Sequence, residues 1–529
     1  MEGRPPPGPM SPGSWRPADE RPSFFAHALT MSARFGSSPW PADDLPDEPP
    51  RPSGLFISST VMDGIRSHHS EPHSDSDTVE EAARLLQALA EAPAPELMSG
   101  LHDRLAESEA LAVADDLLDE LARRRLREDR LRAIGRDLAE YGTRREATKI
   151  GIALVGACGD ERDRDLLLLL GSLEEFTLYA VVALLRSQPD GHRAVYELAR
   201  RVGGWGRIHA VERLHDCDDP EIKDWVLREG WRNSIMDEYL APIAATTGGL
   251  YAALLVPAPD DGLVTAAGGV LATLVQGESG PSTGISGYAD AVPALSRFAE
   301  LAAGREATLG LVNNVLTIRA YLRDGDPGWP RKDVRALRHR YDRLAARDDW
   351  RAIVLAGLAE PGTGTFRAAL SAAERLALPA IPQVIAHLRA EPGDNYCWYT
   401  ALRIADAAQA AQVVETALEL LPVDDLATGP GTDQGFGPEY EAELLLETVV
   451  DGLGSRPGLG LPLIRAALRN RVVRLRWCAL RALAAWPAMP DEVLGWIREA
   501  ADAEPDPDLR EELRALAATG TGRKRRVSG

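Results

Sequence analysis

Lysine is almost absent from this 529-residue sequence, which contains only Lys149, Lys223, Lys332 and Lys524. Arginine supplies nearly all of the positive charge, and 80 acidic residues outnumber the 59 basic ones, so the formal net charge is −21. A surface that binds duplex nucleic acid needs clustered cations, because its affinity comes from the release of phosphate counterions. The acidic balance therefore argues against nucleic acid as a partner.

Cysteine is equally scarce. The four cysteines, Cys158, Cys217, Cys397 and Cys478, are far apart in the sequence and form no Cys-x-x-Cys pair. This spacing favours small buried hydrophobic residues in a reducing compartment over a disulfide framework or a zinc finger. The N-terminus lacks a basic start followed by an apolar run, so no secretory signal is visible and the cytoplasm is the expected location.

Strand patterns and long apolar runs are also missing. No segment alternates apolar and polar residues over the length of a strand, so no β-strands are expected. Residues 239–259 and 262–277 are uncharged, and one interpretation is a membrane hairpin. The first stretch contains three prolines and a Gly-Gly pair, however, and the second is shorter than the ~20 residues that a spanning helix needs. Buried helices are therefore the favoured interpretation, and no membrane partner is expected.

Residues 1–76 are rich in proline, serine and aspartate and show no hydrophobic period, which predicts a disordered tail. Two apolar islands, at 24–26 and 55–57, are interpreted as inert or as short docking peptides. The tail also contains a group of histidines for which a metal role is open, although nothing in the sequence holds their geometry. These histidines are His68, His69 and His73.

Order is predicted to begin at Asp77, because Thr78 and Glu81 have the spacing of a capping box ahead of an apolar helical stripe. From there the chain has helical periodicity throughout, interrupted by glycine-rich breaks. The predicted segments are a helical cap (77–144), a first array (145–277), a second, irregular array (278–427), a Gly-rich loop (428–438), a C-terminal array (439–519) and a basic tail (520–529).

The first array contains one pattern three times between residues 160 and 246. Each copy consists of a polar turn, a helix, a second turn and a second helix rich in small residues. The second helices are predicted at 173–182, 205–214 and 233–241. Their alanines Ala180, Ala210 and Ala241 align at a step of roughly 30 residues, which is typical of repeat architectures. Each helix leaves an apolar stripe that stacked neighbours must bury.

Over roughly residues 145–515 the chain resembles HEAT-like and armadillo-type α-solenoids. The residues that carry the resemblance are Asp-Pro turns and the Arg/Ala/Leu-rich helices that follow, as at 206–214, 218–220 and 474–483. The resemblance implies an all-α fold, a HEAT-like α-α superhelical solenoid. It also implies a scaffold that binds partner proteins along a concave face.

Two neighbouring repeats carry aromatic and guanidinium side chains at equivalent ends. Because tryptophan and arginine contribute much of the energy of protein interfaces, we predict a recognition ridge for a protein partner. In the alternative, the tryptophans fill the core and the arginines stack on them or pair with acids. The predicted ridge consists of Trp205, Arg207, His209, Glu212, Trp225, Arg228, Trp231, Arg232 and Asn233.

Hydrolytic motifs are weak in this sequence. The segment 280–284 has the Gly-x-Ser-x-Gly spacing of a nucleophile elbow around Ser282. That motif needs a strand before the serine to strain the turn, and the preceding residues have the pattern of a helix. A loop is therefore the favoured interpretation.

Metal motifs are incomplete as well. Glu212 and His215 have the Glu-x-x-His spacing of di-iron helices, but the repeats contain no second copy. His209 and His215, with Asp216 and Asp218, could form half of a zinc site. The expected function is thus a non-catalytic scaffold without cofactor or metal. The alternative is an enzyme with a di-iron, zinc or hydrolytic site within residues 203–238.

Overall fold

The computed structural model describes residues 15–41, 45–48, 58–69, 75–280, 282–325, 327–360 and 362–519. These residues are predominantly helical, as the sequence predicts, and the only β-structure among them is an isolated bridge between Asp433 and Val472. They form two compact units. The first comprises the described residues up to 305 together with 317–341, and the second comprises 306–316 and the described residues from 342 onward.

The helices of the first unit begin in the N-terminal segment. They are α1 (Phe24–Phe35), α2 (Ser59–His69), α3 (Ser76–Glu91), α4 (Pro95–Ala106), α5 (Ala110–Arg124), α6 (Glu128–Tyr141), α7 (Arg145–Cys158), α8 (Arg164–Gly171), α9 (Glu174–Ser187), α10 (Gly191–Ala199), α11 (Gly204–Glu212), α12 (Pro220–Trp225), α13 (Ala241–Thr246), α14 (Leu250–Leu254), α15 (Asp261–Gln276) and α16 (Ala291–Ala303).

Two helices, α17 (Leu309–Asp324) and α18 (Arg331–Ala345), contribute residues to both units. The remaining helices belong to the second unit. They are α19 (Asp348–Gly357), α20 (Thr363–Arg375), α21 (Ile381–Ala390), α22 (Asn395–Ile404), α23 (Ala407–Leu420), α24 (Val423–Leu426), α25 (Glu441–Gly452), α26 (Leu461–Leu468), α27 (Val473–Ala484), α28 (Asp491–Ala503) and α29 (Pro507–Thr519).

Within each unit, helices that are alternate in sequence are neighbours in space. In the first unit α7 packs on α9 and α9 on α11, while α8 packs on α10. In the second unit α25 packs on α27 and α27 on α29, while α24 packs on α26 and α26 on α28. Helices stacked in this order bury the apolar stripe that each leaves exposed alone, and the arrangement is compatible with a helical repeat fold.

Local sequence signals predict the start of α12 correctly and that of α3 wrongly. Asp219 caps α12 by accepting hydrogen bonds from the backbone N–H groups of Glu221 and Ile222, and Pro220 occupies the first turn, as predicted. The predicted capping box at Thr78 is wrong. Helix α3 begins at Ser76, and the cap is Asp75, whose carboxylate accepts from the Thr78 backbone N–H.

The third predicted second helix, at 233–241, does not form. The side-chain oxygen of Asn233 accepts hydrogen bonds of 2.8 Å from the backbone N–H groups of Ile235 and Met236. Asparagine bonds made locally in this way compete with helical backbone bonds, so the segment turns and contains only a 3-10 turn at Asp237–Tyr239. The helical pair therefore recurs with α8/α9 and α10/α11, and the third copy departs from the pattern.

The N-terminal segment differs from the predicted tail where the structure describes it. Ser23 caps α1, whose buried residues Phe24, Ala28 and Met31 have the i, i+4, i+7 spacing of one helical face. Phe24 packs edge-on against Phe176 at a centroid distance of 4.9 Å. Of the two apolar islands, 24–26 thus docks on the chain's own helices, and 55–57 lies outside the described residues.

The two uncharged stretches at 239–277 are divided among α13, α14 and α15. Gly249, in the left-handed region with a φ of 64°, separates α13 from α14. No helix in the described parts of the chain combines the length and apolar character needed to cross a bilayer.

We expect Gly151→Ala in α7 to lower the free energy of unfolding by about 1–3 kcal/mol, because α6 and α7 approach closely there. An added methyl carbon would lie 2.8 Å from the backbone nitrogen of Ala139 and 2.9 Å from the carbonyl oxygen of Gly135. Gly100 in α4 is the matched control, since a methyl there meets no atom within 4 Å. Gly100→Ala should raise stability by up to about 1 kcal/mol. Urea unfolding followed by circular dichroism measures both, and changes of the same sign would contradict the prediction.

Candidate functional site

Helix α2 lies on α9 and α11, although more than a hundred residues separate them in sequence. Over residues 59–68, where burial is described, its side chains are mostly half-buried and only Gly64 is buried. A Cβ atom at Gly64 would overlap the indole ring of Trp205, so only glycine permits this approach. The contacts that hold α2 are therefore chiefly polar.

Lys149 is the centre of the polar contacts beneath α2. It lies in the apolar helix α7, and its side chain is 0% exposed. Its ammonium nitrogen lies 2.7 Å from Glu175, 2.7 Å from Asp63 and 2.9 Å from Glu146. The ammonium group donates hydrogen bonds to Asp63 and Glu146, and Glu175 completes the cluster as an ion-pair partner. One of them, Asp63, is supplied by α2.

Arg145, one helical turn before Lys149, binds the N-terminal segment in the same way. Its guanidinium lies 2.6 Å from Asp47 and 2.8 Å from Glu48, and it donates to the hydroxyl of Ser59. The Asp47 carboxylate also accepts from the Arg145 backbone N–H at 2.8 Å. Thr60 donates to Glu175 at 2.6 Å. Helices α7 and α9 thus hold the N-terminal segment by charge-assisted hydrogen bonds, which are stronger than hydrogen bonds between neutral groups.

The charge state of this cluster follows from burial and pairing. Burial alone would lower the pKa of Lys149, but Glu175 and Glu146 hold it well above the usual value. Burial alone would raise the pKa of Glu175, and Lys149 together with Arg145 outweighs it and lowers that pKa. Burial raises the pKa of Asp63 and of Glu146, despite Lys149. Lys149 and Glu175 are therefore the charged pair at the centre of the cluster.

The position of Trp205 is set by the N-terminus of α11. Gly204 has a φ of +47°, and a Cβ atom there would overlap the carboxylate of Glu174 in α9. That carboxylate accepts a 2.6 Å hydrogen bond from the backbone N–H of Trp205. The glycines before and after Trp205 therefore bring α11 onto α9 and point the indole ring towards α2.

A second polar cluster joins α2 to α11. The Nε2 atom of His68 lies 2.9 Å from Glu212, and its Nδ1 atom lies 2.8 Å from the carbonyl oxygen of Gly64. The ring of His68 stacks on that of His209 at 5.5 Å. One ligand atom from each of His68, His209 and Glu212 lies within 4.8 Å of the others. Trp205 and Tyr239 pack around the two imidazoles.

The two histidines differ in protonation. The hydrogen bond to Glu212 raises the pKa of His68, against the effect of burial. Burial, with smaller contributions from His68 and Arg213, lowers the pKa of His209 to about 3. The Nδ1 atom of His209 is buried and has no hydrogen-bond partner among the described residues. His209 is thus a neutral imidazole with an unused nitrogen.

Three residues of the predicted ridge, Trp205, His209 and Glu212, meet at the contact with α2. The others form local contacts. Arg207 donates to the carbonyl oxygen of Val202 at 3.0 Å and lies 5.5 Å above the ring of Trp225. Trp205 and His209, which contact α2, are 4% and 3% exposed, and Trp231 is 0% exposed.

The remaining arginines of the ridge have acidic partners. Arg228 pairs with Asp224 at 2.7 Å and with Asp260 at 2.8 Å. Arg232 lies 3.9 Å above the ring of Trp231 and pairs with Asp237 at 2.8 Å. The side-chain oxygen of Asn233 accepts a hydrogen bond from the backbone N–H of Ile235 within its own turn. The ridge remains a prediction, because these contacts do not test whether a partner binds there.

The Glu-x-x-His spacing of Glu212 and His215, which lacked a second copy in the sequence, does not bring the two side chains together. His215 is exposed, and its Nδ1 atom lies 2.8 Å from the backbone carbonyl oxygen of Glu212. Asp216 and Asp218 are also exposed. The histidine that meets Glu212 is His68, from the segment predicted to be a tail.

Ser282 and a second histidine-containing cluster lie outside the contact with α2. Ser282 follows helix α15 and a 3-10 turn rather than a strand, and its hydroxyl donates to the backbone carbonyl of Glu238. In the second unit, His387, Asp394 and Cys397 also lie close together. Asp394 there caps α22 and already pairs with Arg367 at 2.8 Å.

Sequence reasoning missed Asp63, Lys149 and Glu175. One signal could have identified Lys149, because it is one of only four lysines and lies within the apolar run of α7. A charged residue in such a position is buried only with partners. The identity of those partners depends on tertiary packing.

The sequence was compared with known proteins. No protein-family model matches the chain, and no curated protein is significantly similar to it.

Proposed function

We propose that this protein is a HEAT-like scaffold in the cytoplasm that binds a protein partner without catalysis. Its partner site is the face of α7, α9 and α11 that holds α2. The partner presents a helix with the chemistry of α2, which takes the place of α2 on this face.

The proposal is supported by the contacts that side chains of α7, α9 and α11 make with α2. Glu175 accepts from the hydroxyl groups of Ser59 and Thr60, at 2.8 and 2.6 Å, and Lys149 pairs with Asp63. Trp205 lies against Gly64, and Glu212 contacts His68. The face thus selects a helix with two adjacent hydroxyls, an Asp-Gly pair and a histidine. These groups occur at positions 59, 60, 63, 64 and 68 of α2.

Exchange of α2 for a partner helix is favoured by how α2 is held. Within residues 59–68, Gly64, which has no side chain, is the only buried residue. Burial of apolar side chains is the main source of docking energy, at about 25 cal/mol per Å². A helix that buries little apolar surface belongs to the least stable elements of a fold and opens first. A partner helix with the same polar groups and additional apolar contacts would therefore displace it.

The first test uses the full chain and a labelled peptide of residues 58–69. Asp63→Lys places a second cation beside Lys149 and should release α2, so this variant should bind the peptide at least tenfold more tightly than the wild type. Fluorescence anisotropy measures the affinity. A peptide with Gly64→Val is the matched control and should not bind. Equal binding of both peptides, or no binding to the Asp63→Lys chain, would refute the proposed site.

The second test identifies the partner. Asp63→Lys and wild-type chains serve as baits in native lysate, with and without excess peptide. A protein that is enriched on the variant and released by the peptide occupies the α2 face. If the peptide releases no protein, the scaffold role at this face is contradicted.

The alternative, an enzyme with a site near residues 203–238, has one supporting observation, which is the grouping of His209 and Glu212 with His68. Its hydrolytic form has no support, since Ser282 lacks the strand that a nucleophile elbow requires. Turnover of a substrate that is abolished by Glu212→Gln would favour the enzyme.

A further inference from the structure

We propose that His68, His209 and Glu212 form a binding site for a divalent transition-metal ion of the Zn²⁺ class, which joins α2 to α11. Two imidazoles and a carboxylate are a donor set that zinc accepts, with a fourth tetrahedral position left for water. This inference goes beyond partner binding and has observations of its own.

The first observation is the contact between His68 and Glu212. A carbonyl oxygen only accepts hydrogen bonds, so the Nδ1 atom of His68, 2.8 Å from the carbonyl of Gly64, carries a hydrogen. The Nε2 atom then faces a carboxylate oxygen of Glu212 at 2.9 Å. Two lone pairs at this distance need a positive species between them, which is either a proton or a metal ion. In metal-binding histidines the N–H of the other ring nitrogen commonly donates a hydrogen bond to a carbonyl in this way.

The second observation distinguishes the metal ion from the proton. A proton satisfies His68 and Glu212 but leaves His209 unexplained. The Nδ1 atom of His209 is buried without a hydrogen-bond partner among the described residues. An unsatisfied buried polar group is costly, and proteins retain few of them without a reason. If a metal ion is bound, the imidazole of His209 serves as its third ligand beside His68 and Glu212.

To bind zinc, the three ligand atoms must approach one another by up to about 1.5 Å. Zinc–nitrogen and zinc–oxygen bonds of about 2.0–2.2 Å place tetrahedral ligand atoms about 3.3 Å apart. The three ligand atoms already lie within 4.8 Å of one another. The side chains of His68 and Glu212 are 15% and 24% exposed, so an ion can enter from solvent.

The test is zinc titration of the metal-free full chain in competition with a chromophoric chelator. The wild type should bind one zinc ion in the site, and Glu212→Gln and His68→Gln should each weaken binding at least tenfold. Cobalt substitution supplies a second readout, because tetrahedral Co²⁺ absorbs visible light intensely and a merely structural ion pair does not. Circular dichroism confirms that the variants are folded.

Matched controls separate this site from other histidines. His215→Gln removes an exposed histidine next to Glu212, and a His69→Gln, His73→Gln double variant removes the histidines nearest in sequence to His68. Both should bind zinc as the wild type does. Absence of zinc binding at micromolar metal, or equal binding by Glu212→Gln and the wild type, would overturn the assignment. Neither result bears on peptide exchange, so the two proposals fail separately.

Discussion

Lys149→Met is expected to lower the free energy of unfolding of the first unit by about 3–5 kcal/mol, the cost of removing one partner from a buried ion pair. The ammonium group of Lys149 is fully buried among Glu175, Glu146 and Asp63. Methionine fills a similar volume but leaves these carboxylates without their shared cation. Charge that is buried and unpaired destabilises a fold more than the intact pair stabilises it.

Lys332→Met is the control, because Lys332 is exposed and its replacement should change stability by less than about 0.5 kcal/mol. Adding Glu175→Gln to Lys149→Met should recover part of the loss, since the most buried carboxylate of the cluster becomes neutral. Chemical denaturation followed by circular dichroism measures each variant. A loss below about 1 kcal/mol for Lys149→Met would show that the cluster is solvated and that the buried pair does not exist.

Arg476→Met should destabilise the second unit by a similar amount, about 3–5 kcal/mol. Arg476 and Glu504 are each 1% exposed and form a bidentate pair with distances of 2.7 and 2.6 Å. The same guanidinium donates to the carbonyl oxygen of Gly431 at 2.8 Å and so ties the segment 427–437, which contains no helix, to α27. The variant loses both the ion pair with Glu504 and the hydrogen bond to Gly431.

Arg474→Met in the same helix is the matched control. Arg474 is 38% exposed and pairs with Glu447, so its loss should cost at most about 1 kcal/mol. Limited proteolysis provides the second readout. Cleavage within 427–437 should be faster in Arg476→Met than in Arg474→Met, and equal rates would mean that Arg476 does not hold this segment.

Local sequence determined the helical fold. Asp219 and Pro220 begin α12 because capping and proline geometry act within a few residues. The prediction failed where a local bond competed with the helix, as at Asn233, and where an apolar stripe was short, as in α1. Both signals were present in the sequence, but the polar composition of the N-terminal segment outweighed the apolar stripe of α1.

Only the tertiary structure decided which polar residues contact one another. Glu212 was identified from its spacing to His215, which lies on the same turn, yet its partner is His68, 144 residues away. Lys149 is likewise joined to Asp63 over 86 residues. Helical periodicity relates residues three or four positions apart and carries no information about contacts at such separations. The sequence thus determines the helices and their apolar faces, while the packing of α2 on α9 and α11 creates the two polar clusters.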